Sequence, residues 1–333
     1  MSFEQFLPVI FMALMGIAML VYVVLDGYDL GVGMLLPRAN DKQKDMMIAS
    51  IGPFWDANET WLVLGVGVLL IGFPKAHGVV LTALYLPVAA MLIGLVLRGV
   101  AFDFRVKARD HHKPLWNRTF FVGSTVASVA QGWMLGRYIT GFAQGTEFMV
   151  FAALIALALP ATYVLLGASW LILKTEGPLQ AKAVRWAGVA WLPMVLGMLL
   201  ISLATPWVSA TVRSRWFALP EFIGLAPIPI ATALALLALA RSLYSPRVKT
   251  TLCWLPFALT VFVLLMGFFG LAFSLYPYVV MDHMTLWQAA AAHESLVFIF
   301  VGVCITVPAI AAYTVFTYRV FSGKARKLTY GGE

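Results

Sequence analysis

Residues 6–36 read FLPVIFMALMGIAMLVYVVLDGYDLGVGMLL, and this stretch decides the fold class. A helix needs about 20 predominantly apolar residues to cross the hydrocarbon core of a bilayer. The stretch is longer than that, and two acids, Asp26 and Asp29, interrupt its second half. Glu4 stands where a cleaved secretory signal would carry basic residues. We therefore interpret the stretch as a retained first transmembrane helix.

The rest of the chain has the same apolar character. Its 333 residues are 62% hydrophobic and 11% charged, whereas soluble domains contain about 45–50% apolar and about 25% charged residues. A net charge of +8 would suggest nucleic-acid binding in a soluble protein, but in a membrane protein basic residues set the orientation against anionic lipids. We predict an all-α, polytopic integral membrane protein that contacts membrane lipids and no nucleic acid.

Nine stretches have the length and apolarity of a transmembrane helix. They cover residues 6–36, 46–73, 79–103, 117–140, 147–173, 184–206, 221–241, 252–276 and 293–320. With the N-terminus outside, 18 of the 23 basic residues, Lys327 among them, fall in the connections and tail of the cytoplasmic side. Since cytoplasmic loops carry the excess of Lys and Arg, the sequence predicts a periplasmic N-terminus and a cytoplasmic C-terminus.

The acids that lie within predicted spans are concentrated in the first three. Asp26 and Asp29 are three residues apart, as are Asp56 and Glu59, so each pair shares one helix face. Arg98 lies in the third span. At a rise of about 1.5 Å per residue, the three spans bring these groups to a similar depth in the cytoplasmic half. We expect them to face the bundle interior, with Arg98 pairing at least one carboxylate.

Ionisable groups at membrane depth are energetically costly and by default indicate function. One arginine cannot neutralise four or five carboxylates, and the surplus groups are able to hold and relay protons. The hypothesis is a proton path from the cytoplasm formed by four acids: Asp26, Asp29, Asp56 and Glu59. Arg98 is their charge partner, and Asp103 either joins it or is only an interfacial residue. The alternative is a buried ion pair that merely fixes helix register.

Haem or metal ligation by this chain is not indicated. The five histidines fall in connections or at the start of the last span: His77, His111, His112, His283 and His293. Cys253 and Cys304 have neither CxxC nor CxxCH spacing, which excludes a thiolate cluster and a covalently attached haem. We predict no metal site and no axial haem ligand in this chain.

At the acidic residues the sequence resembles subunit II of cytochrome bd-type quinol oxidases, including the cyanide-insensitive branch. Residues 26–34, DGYDLGVGM, are similar to the family's DGFDLGVG motif, with Tyr28 in place of Phe. Residues 50–62, SIGPFWDANETWL, resemble its xSIxPxWDxNExWL block. Residues 98–105, RGVAFDFR, resemble the block that follows its third helix.

The resemblance continues to about residue 320. Tyr276-Pro277 followed by residues 286–290, LWQAA, is similar to the family's YP…LTxWxAA pattern, with Gln288 where an acid is common. The family fold implies two four-helix bundles plus one peripheral helix in a single membrane domain, residues 1–333. On this sequence the parts correspond to residues 1–141 with the acidic cluster, residues 142–276, and a last helix with a basic cytoplasmic tail at 277–333.

The resemblance also implies partners and cofactors. In the family a larger subunit I carries two b-type haems and one d-type haem, oxidises quinol and reduces dioxygen to water, while subunit II binds no haem. A structural ubiquinone against this subunit and small single-helix accessory subunits are further implied components. The expected location is the bacterial cytoplasmic (inner) membrane.

The same motifs imply roles for individual residues. The acid matching Asp56 lies on a proton route toward the oxygen site in subunit I, and an acid matching Asp26 or Asp29 is implicated in proton entry. The tryptophan matching Trp61 is associated with the mouth of an oxygen-access path. Trp55 and Trp61 are therefore candidate contacts of oxygen or quinone, with packing as the other interpretation.

Three functions remain open from the sequence. The first is the non-haem subunit of a terminal quinol oxidase that supplies protons to subunit I. The second is a stand-alone proton-coupled transporter, although the sequence shows no convincing inverted repeat of the kind such folds usually contain. The third is a structural partner subunit whose acidic cluster is inert.

Overall fold

A computed structural model describes residues 3–326, with side chains from residue 5 onward. Lys327, one of the basic residues used to predict the orientation, lies outside the described residues. The described chain is almost entirely helical. Its helices are α1 (Phe3–Leu35), α2 (Asp41–Ile51), α3 (Trp55–Gly72), α4 (Pro74–Lys107), α5 (Lys113–Ile139), α6 (Thr146–Lys174), α7 (Gly177–Val208), α8 (Ala210–Phe217), α9 (Glu221–Leu225), α10 (Pro227–Leu243), α11 (Leu255–Leu275), α12 (Leu286–Ala289) and α13 (His293–Val320).

Among the described residues, a small hairpin departs from the all-α prediction. Strand β1 (Tyr278–Val280) pairs antiparallel with β2 (Met284–Thr285). The turn between them contains Asp282, whose Oδ1 accepts a hydrogen bond from Thr211 Oγ1 at 2.6 Å. The hairpin is too short to show the period-two pattern that identifies strands in a sequence.

Within the described range, seven helices are long and apolar enough to span a membrane, or eight if α2 and α3 form one bent span. The fourth predicted span, residues 117–140, is a helix, α5, but its sequence is less apolar than those of the other predicted spans and it is not among the seven. Helix α5 packs against α1, α4 and α6, and its buried positions include Ser124, Ser128 and Gln131. Because much of its surface contacts neighbouring helices, α5 forms without a continuous apolar face. The nine-span topology stays a prediction.

The second predicted span, residues 46–73, is not one continuous helix. Helix α2 begins earlier, at Asp41, behind a capping box formed by Asn40 and Gln43. It ends at Ile51, α3 begins at Trp55, and the two axes differ by 48°. Pro53 explains the break, because proline has no N–H to bond the carbonyl of Ala49 and its ring clashes with that carbonyl in a continuous helix.

Helix α1 lies at the centre of the chain, where it contacts α3, α5 and α6. Helix α4 packs along α5, while α7 and α11 pack against α6 and α10 packs against α11. Helix α13 is peripheral, with 6% of its apolar stretch buried within the chain. The interior of the molecule is therefore the space around α1.

The segment after α13 is fastened to the end of α6. Lys174 Nζ donates to Phe321 O at 2.7 Å and to Gly323 O at 2.9 Å. In return, Lys324 Nζ donates to the carbonyl oxygens on either side of Lys174, at 2.9 and 3.1 Å. Each lysine thus caps carbonyls that a helix end leaves unpaired, and the two caps hold this end of α13 in place.

Candidate functional site

Helix α1 carries two fully buried carboxyl groups. Asp26 and Asp29 expose no surface in the folded chain. Glycines beside them let α6 approach closely: a Cβ added at Gly31 would lie 1.8 Å from the backbone oxygen of Tyr163. Because glycines alternate with the acids, α1 packs directly against α6, and the carboxyl groups face α3 and α4.

Arg98 of α4 is the cation of this cluster, and its side chain is 1% exposed. Its Nη1 donates to Asp26 Oδ1 at 2.5 Å, and its Nη2 donates to Glu59 Oε1 on α3. The planar fork of a guanidinium suits two carboxylates that come from different helices. Glu59 is partly exposed, with 29% of its side-chain surface accessible. Arg98 therefore links a buried acid to one that reaches the surface of the chain.

Asp29 belongs to the same cluster through a different contact. Its Oδ2 accepts a hydrogen bond from Asn58 Nδ2 at 2.8 Å. Among the described residues, Asp26 Oδ2 and Asp29 Oδ1 have no hydrogen-bond partner. With all three acids ionised, the three carboxylates and the single guanidinium would carry a formal charge of −2. Excess negative charge in an apolar interior is unfavourable, so the cluster is suited to binding protons.

A hydrogen-bonded group of polar residues extends from Asp29 toward α13. Asn58 Nδ2 donates to Tyr28 Oη at 3.0 Å, and Tyr318 Oη donates to Asn58 Oδ1 at 3.1 Å. The two tyrosine hydroxyls are 2.5 Å apart. Sequence reasoning missed these residues. Asn58 and Tyr28 carried a signal, as polar residues beside acids at membrane depth, whereas Tyr318 is 260 positions from Asn58 and had none.

A second polar branch lies near Asp26. Tyr22 is four residues before Asp26 and so shares its helix face. Gln131 Nε2 on α5 donates to Tyr22 Oη at 2.8 Å, and Tyr163 Oη on α6 donates to Gln131 Oε1 at 2.6 Å. All three side chains are buried. None of these three residues was predicted as a site residue, although Gln131 stands out as an amide within an apolar stretch.

Two predicted members lie outside the cluster. Asp56 and Asp103 are exposed. The expectation that Asp56 faces the bundle interior was therefore wrong, whereas exposure of Asp103 agrees with the interfacial alternative. The buried face of α3 contains Ala57, Asn58 and Trp61. Asp56 is two residues before Asn58, about 200° around the helix at 3.6 residues per turn, and therefore points away from α1. Its position in the first turn of α3 places it at the surface of the chain.

The two predicted tryptophans pack between helices. Trp61 is buried, and its Nε1 donates to Thr314 Oγ1 of α13 at 3.2 Å. The ring of Trp55 lies 5.2 Å from that of Phe102 on α4. These contacts join α3 to α13 and to α4. A role of either indole in oxygen or quinone binding stays a prediction.

The part of the chain that the structure describes contains no group of three or more His, Cys, Asp or Glu side chains placed to hold a metal ion. Cys253 and Cys304 are free thiols. The histidines lie at helix starts or in turns, at positions 77, 111, 112, 283 and 293. None of the five lies in the middle of a spanning helix. That this chain supplies no axial haem ligand stays a prediction.

Comparison with known proteins gives a consistent result. Residues 7–321 match the profile of the family described as cytochrome bd terminal oxidase subunit II. The chain is 39% identical over 115 residues to cytochrome bd ubiquinol oxidase subunit 2 of Bacillus subtilis, an alignment that covers 33% of this chain and 34% of the relative. It is 29% identical over 222 residues to cytochrome bd-I ubiquinol oxidase subunit 2 of Escherichia coli K12, covering 61% of this chain and 58% of the relative. These two alignments span about a third and about three-fifths of the relatives' lengths.

Two further similarities cover nearly the whole chain. The probable cytochrome oxidase subunit 2 of Haemophilus influenzae is 23% identical over 371 aligned positions, which cover 96% of this chain and 95% of the relative. Among solved structures, a chain of the bd oxidase from Geobacillus thermodenitrificans superposes with a TM-score of 0.79 at 15% identity, covering 95% of this chain and 98% of the other. At that identity the superposition shows a shared fold.

Proposed function

The chain belongs to the cytochrome bd terminal oxidase subunit II family, and we propose that it is the haem-free subunit II of a bd-type quinol oxidase. Family membership confirms the resemblance seen in the motifs. The apolar helices and the family together make it a multi-pass protein of the bacterial inner membrane. The proposed activity of the complex is oxidation of quinol coupled to reduction of dioxygen to water.

The proposed partner is a larger subunit I that carries two b-type haems and one d-type haem. We also propose a structural ubiquinone and small single-helix subunits as further components. The mutual packing of α1, α3, α4 and α5, and of α6, α7, α10 and α11, supports a division into two four-helix bundles with α13 at the periphery. The proposed topology has nine spans, an N-terminus outside and a C-terminus in the cytoplasm.

The role proposed for this chain is to conduct protons from the cytoplasm toward subunit I. One observation carries it: three carboxyl groups share a buried cluster with a single guanidinium. Asp56 and Glu59 are three residues apart on α3, with Asp56 exposed and Glu59 half-buried. A proton taken up at Asp56 would pass to Glu59, from there to Asp26, which shares Arg98 with Glu59, and on to Asp29.

Such a path has a physical purpose in an oxidase. Reduction of dioxygen consumes protons, and quinol oxidation releases them. If the consumed protons come from the cytoplasm and the released protons leave on the outer side, the reaction separates charge across the membrane. A subunit without cofactors contributes to this separation by supplying one of the two proton routes.

Purification tests the oxidase assignment. We expect the chain to copurify with a larger membrane partner, and the spectrum of the complex to contain b-type and d-type haem bands. A colourless protein that purifies alone and transports a solute in liposomes would instead support the proton-coupled transporter.

Substitution of Glu59 tests the proton path. Glu59→Gln keeps the shape and removes the ionisable group, so we expect quinol oxidase turnover to fall by about tenfold or more with haem content unchanged. Glu147→Gln, the same change at an exposed acid at the start of α6, is the matched control and should keep turnover within about twofold. Full turnover in Glu59→Gln with intact haems would contradict the proposed path.

A further inference from the structure

A separate surface feature lies at the turn between α4 and α5, away from the acidic cluster. A groove of about 510 Å³ opens there. The side chains that give it its chemistry are Phe104, Lys107, Arg109, His112, Leu115 and Trp116. Most of them are exposed, and Trp116 is half-buried. The groove is open to the surroundings and combines cationic with apolar side chains.

The apolar part of the groove is an aromatic wall. The rings of Phe104 and Trp116 stack with centroids 5.2 Å apart and planes at 28°, and Leu115 lies beside them. Helix α4 is a candidate membrane span that ends at Lys107. Since the predicted span 79–103 ends next to Phe104, we expect the wall at the boundary between hydrocarbon and water, where tryptophans are enriched in membrane proteins.

The charged side chains that line the groove are all positive. Lys107 and Arg109 contribute two cations and His112 an imidazole, and no carboxylate lines the groove. The nearby acid Asp110 is bonded to Lys113 at 2.9 Å, which lowers the pKa of its carboxyl group. Because Asp110 is engaged by Lys113, the two cations of the groove keep an unneutralised charge.

The groove continues into an apolar strip along α4. Ile93, Val96, Val100 and Phe104 are all exposed. Their spacing of three or four residues places them on one helix face. The strip leads from the groove into the membrane-spanning part of α4 over about 16 Å, at 1.5 Å per residue.

We propose that this groove binds an anionic phospholipid. Its phosphate lies between Lys107 and Arg109, its glycerol region lies against the aromatic wall, and an acyl chain follows the strip from Phe104 to Ile93. Charge complementarity selects an anionic head group, since basic pockets next to spanning helices attract such lipids. The wall and the strip favour a phospholipid over a free anion, which would contact only the cations.

Lipid binding to the purified complex tests the proposal. Native mass spectrometry of the delipidated complex would be titrated with dioleoylphosphatidylglycerol or with dioleoylphosphatidylcholine. We expect preferential retention of the phosphatidylglycerol. The double variant K107Q/R109Q should weaken that binding about 25-fold, at about fivefold for each basic residue. The matched control R247Q/K249Q removes two basic residues from the turn between α10 and α11 and should leave binding unchanged.

Four results would overturn the proposal. Equal retention of the two lipids would show that the head-group charge is not recognised, and equal binding by the two double variants would place the lipid elsewhere. Displacement of phosphatidylglycerol by millimolar inorganic phosphate would indicate a simple anion site. Absence of any exchangeable lipid, with Lys107 cross-linked to a partner, would assign the groove to a protein contact. The readout does not depend on oxidase turnover, so it stands apart from the proposed proton path.

Discussion

Replacing Arg98 with Met would show whether its guanidinium holds the acidic cluster together. Methionine retains much of the aliphatic part of the side chain and removes the guanidinium, so the bonds to Asp26 and Glu59 are lost. With Arg98 1% exposed, bulk water cannot take the place of the guanidinium. Removing one partner of a buried ion pair destabilises a protein by about 3–5 kcal/mol, and we expect that loss here.

A conservative change separates charge from geometry at the same position. Arg98→Lys keeps a positive charge but replaces the planar fork with a compact ammonium group, which is a poor match for two carboxylates on different helices. One charge-assisted hydrogen bond contributes about 1.5–3 kcal/mol. We therefore expect Arg98→Lys to be destabilised by roughly that amount, less than Arg98→Met.

A double-mutant cycle in detergent provides the assay. The free energy of unfolding would be measured for R98M, D26N and the double variant. If the loss in R98M arises from an uncompensated Asp26, the double variant is more stable than the sum of the single effects predicts, by about 1 kcal/mol or more. Arg105→Met is the matched control: Arg105 is also buried but pairs with Asp45, so D26N should not offset its loss. Additivity of R98M and D26N within about 0.5 kcal/mol would refute the coupling.

Three other predictions follow from contacts around the cluster. Asn58→Ala should lower the free energy of unfolding by about 1–3 kcal/mol, because it leaves buried polar partners without a hydrogen bond. Tyr318→Phe should lower it by about 1 kcal/mol. Equal losses for the two variants in detergent unfolding would contradict this order. Gly31→Ala should destabilise by about 1–3 kcal/mol or more, since the added Cβ would lie 1.8 Å from the α6 backbone. Gly78→Ala, with nothing within 4 Å, should stabilise by up to about 1 kcal/mol, and similar shifts in Tm for these two variants would be inconsistent with the close packing of α1 on α6. Lys174→Met should leave the carbonyl groups beyond α13 without their hydrogen bonds and so speed proteolysis of the C-terminal segment. An unchanged cleavage rate, followed by mass spectrometry, would show that Lys174 does not hold this end of α13 in place.

The helical spans were predictable because apolar length is a local property of the chain. Seven helices satisfy it outright, and the first of them matches the stretch at residues 6–36 closely. Helix α5 satisfies it less well, because a helix surrounded by other helices has less surface to present to lipid. The bend at Pro53 could have been read from the sequence, since proline breaks the backbone hydrogen-bonding pattern. The apolar stretch at residues 46–73 is long enough for one span, however, and was therefore predicted as a single continuous helix.

The candidate site was only partly predictable. Acids within apolar spans are rare enough that Asp26, Asp29 and Glu59 stood out by themselves, and so did Arg98. Depth along a helix follows from counting residues, but direction around the helix depends on which neighbours the helix meets. Asp56 shows the difference, since it lies three residues before Glu59 on the same helix and is exposed.

By itself, the sequence determined the membrane class, the approximate spans and the motifs of the subunit II family. Each of these depends on composition or on residues close together in the chain. Tertiary structure decided which polar groups meet: Arg98 with Asp26 and Glu59, and Tyr318 with Asn58. Those contacts join helices that are far apart in sequence, and they depend on the rotation and close approach of packed helices. Neither the rotation nor the close approach of a helix can be read from a linear sequence pattern. The extent of the hydrogen-bonded network is therefore visible only in the packed structure, where α1 is surrounded by its neighbours.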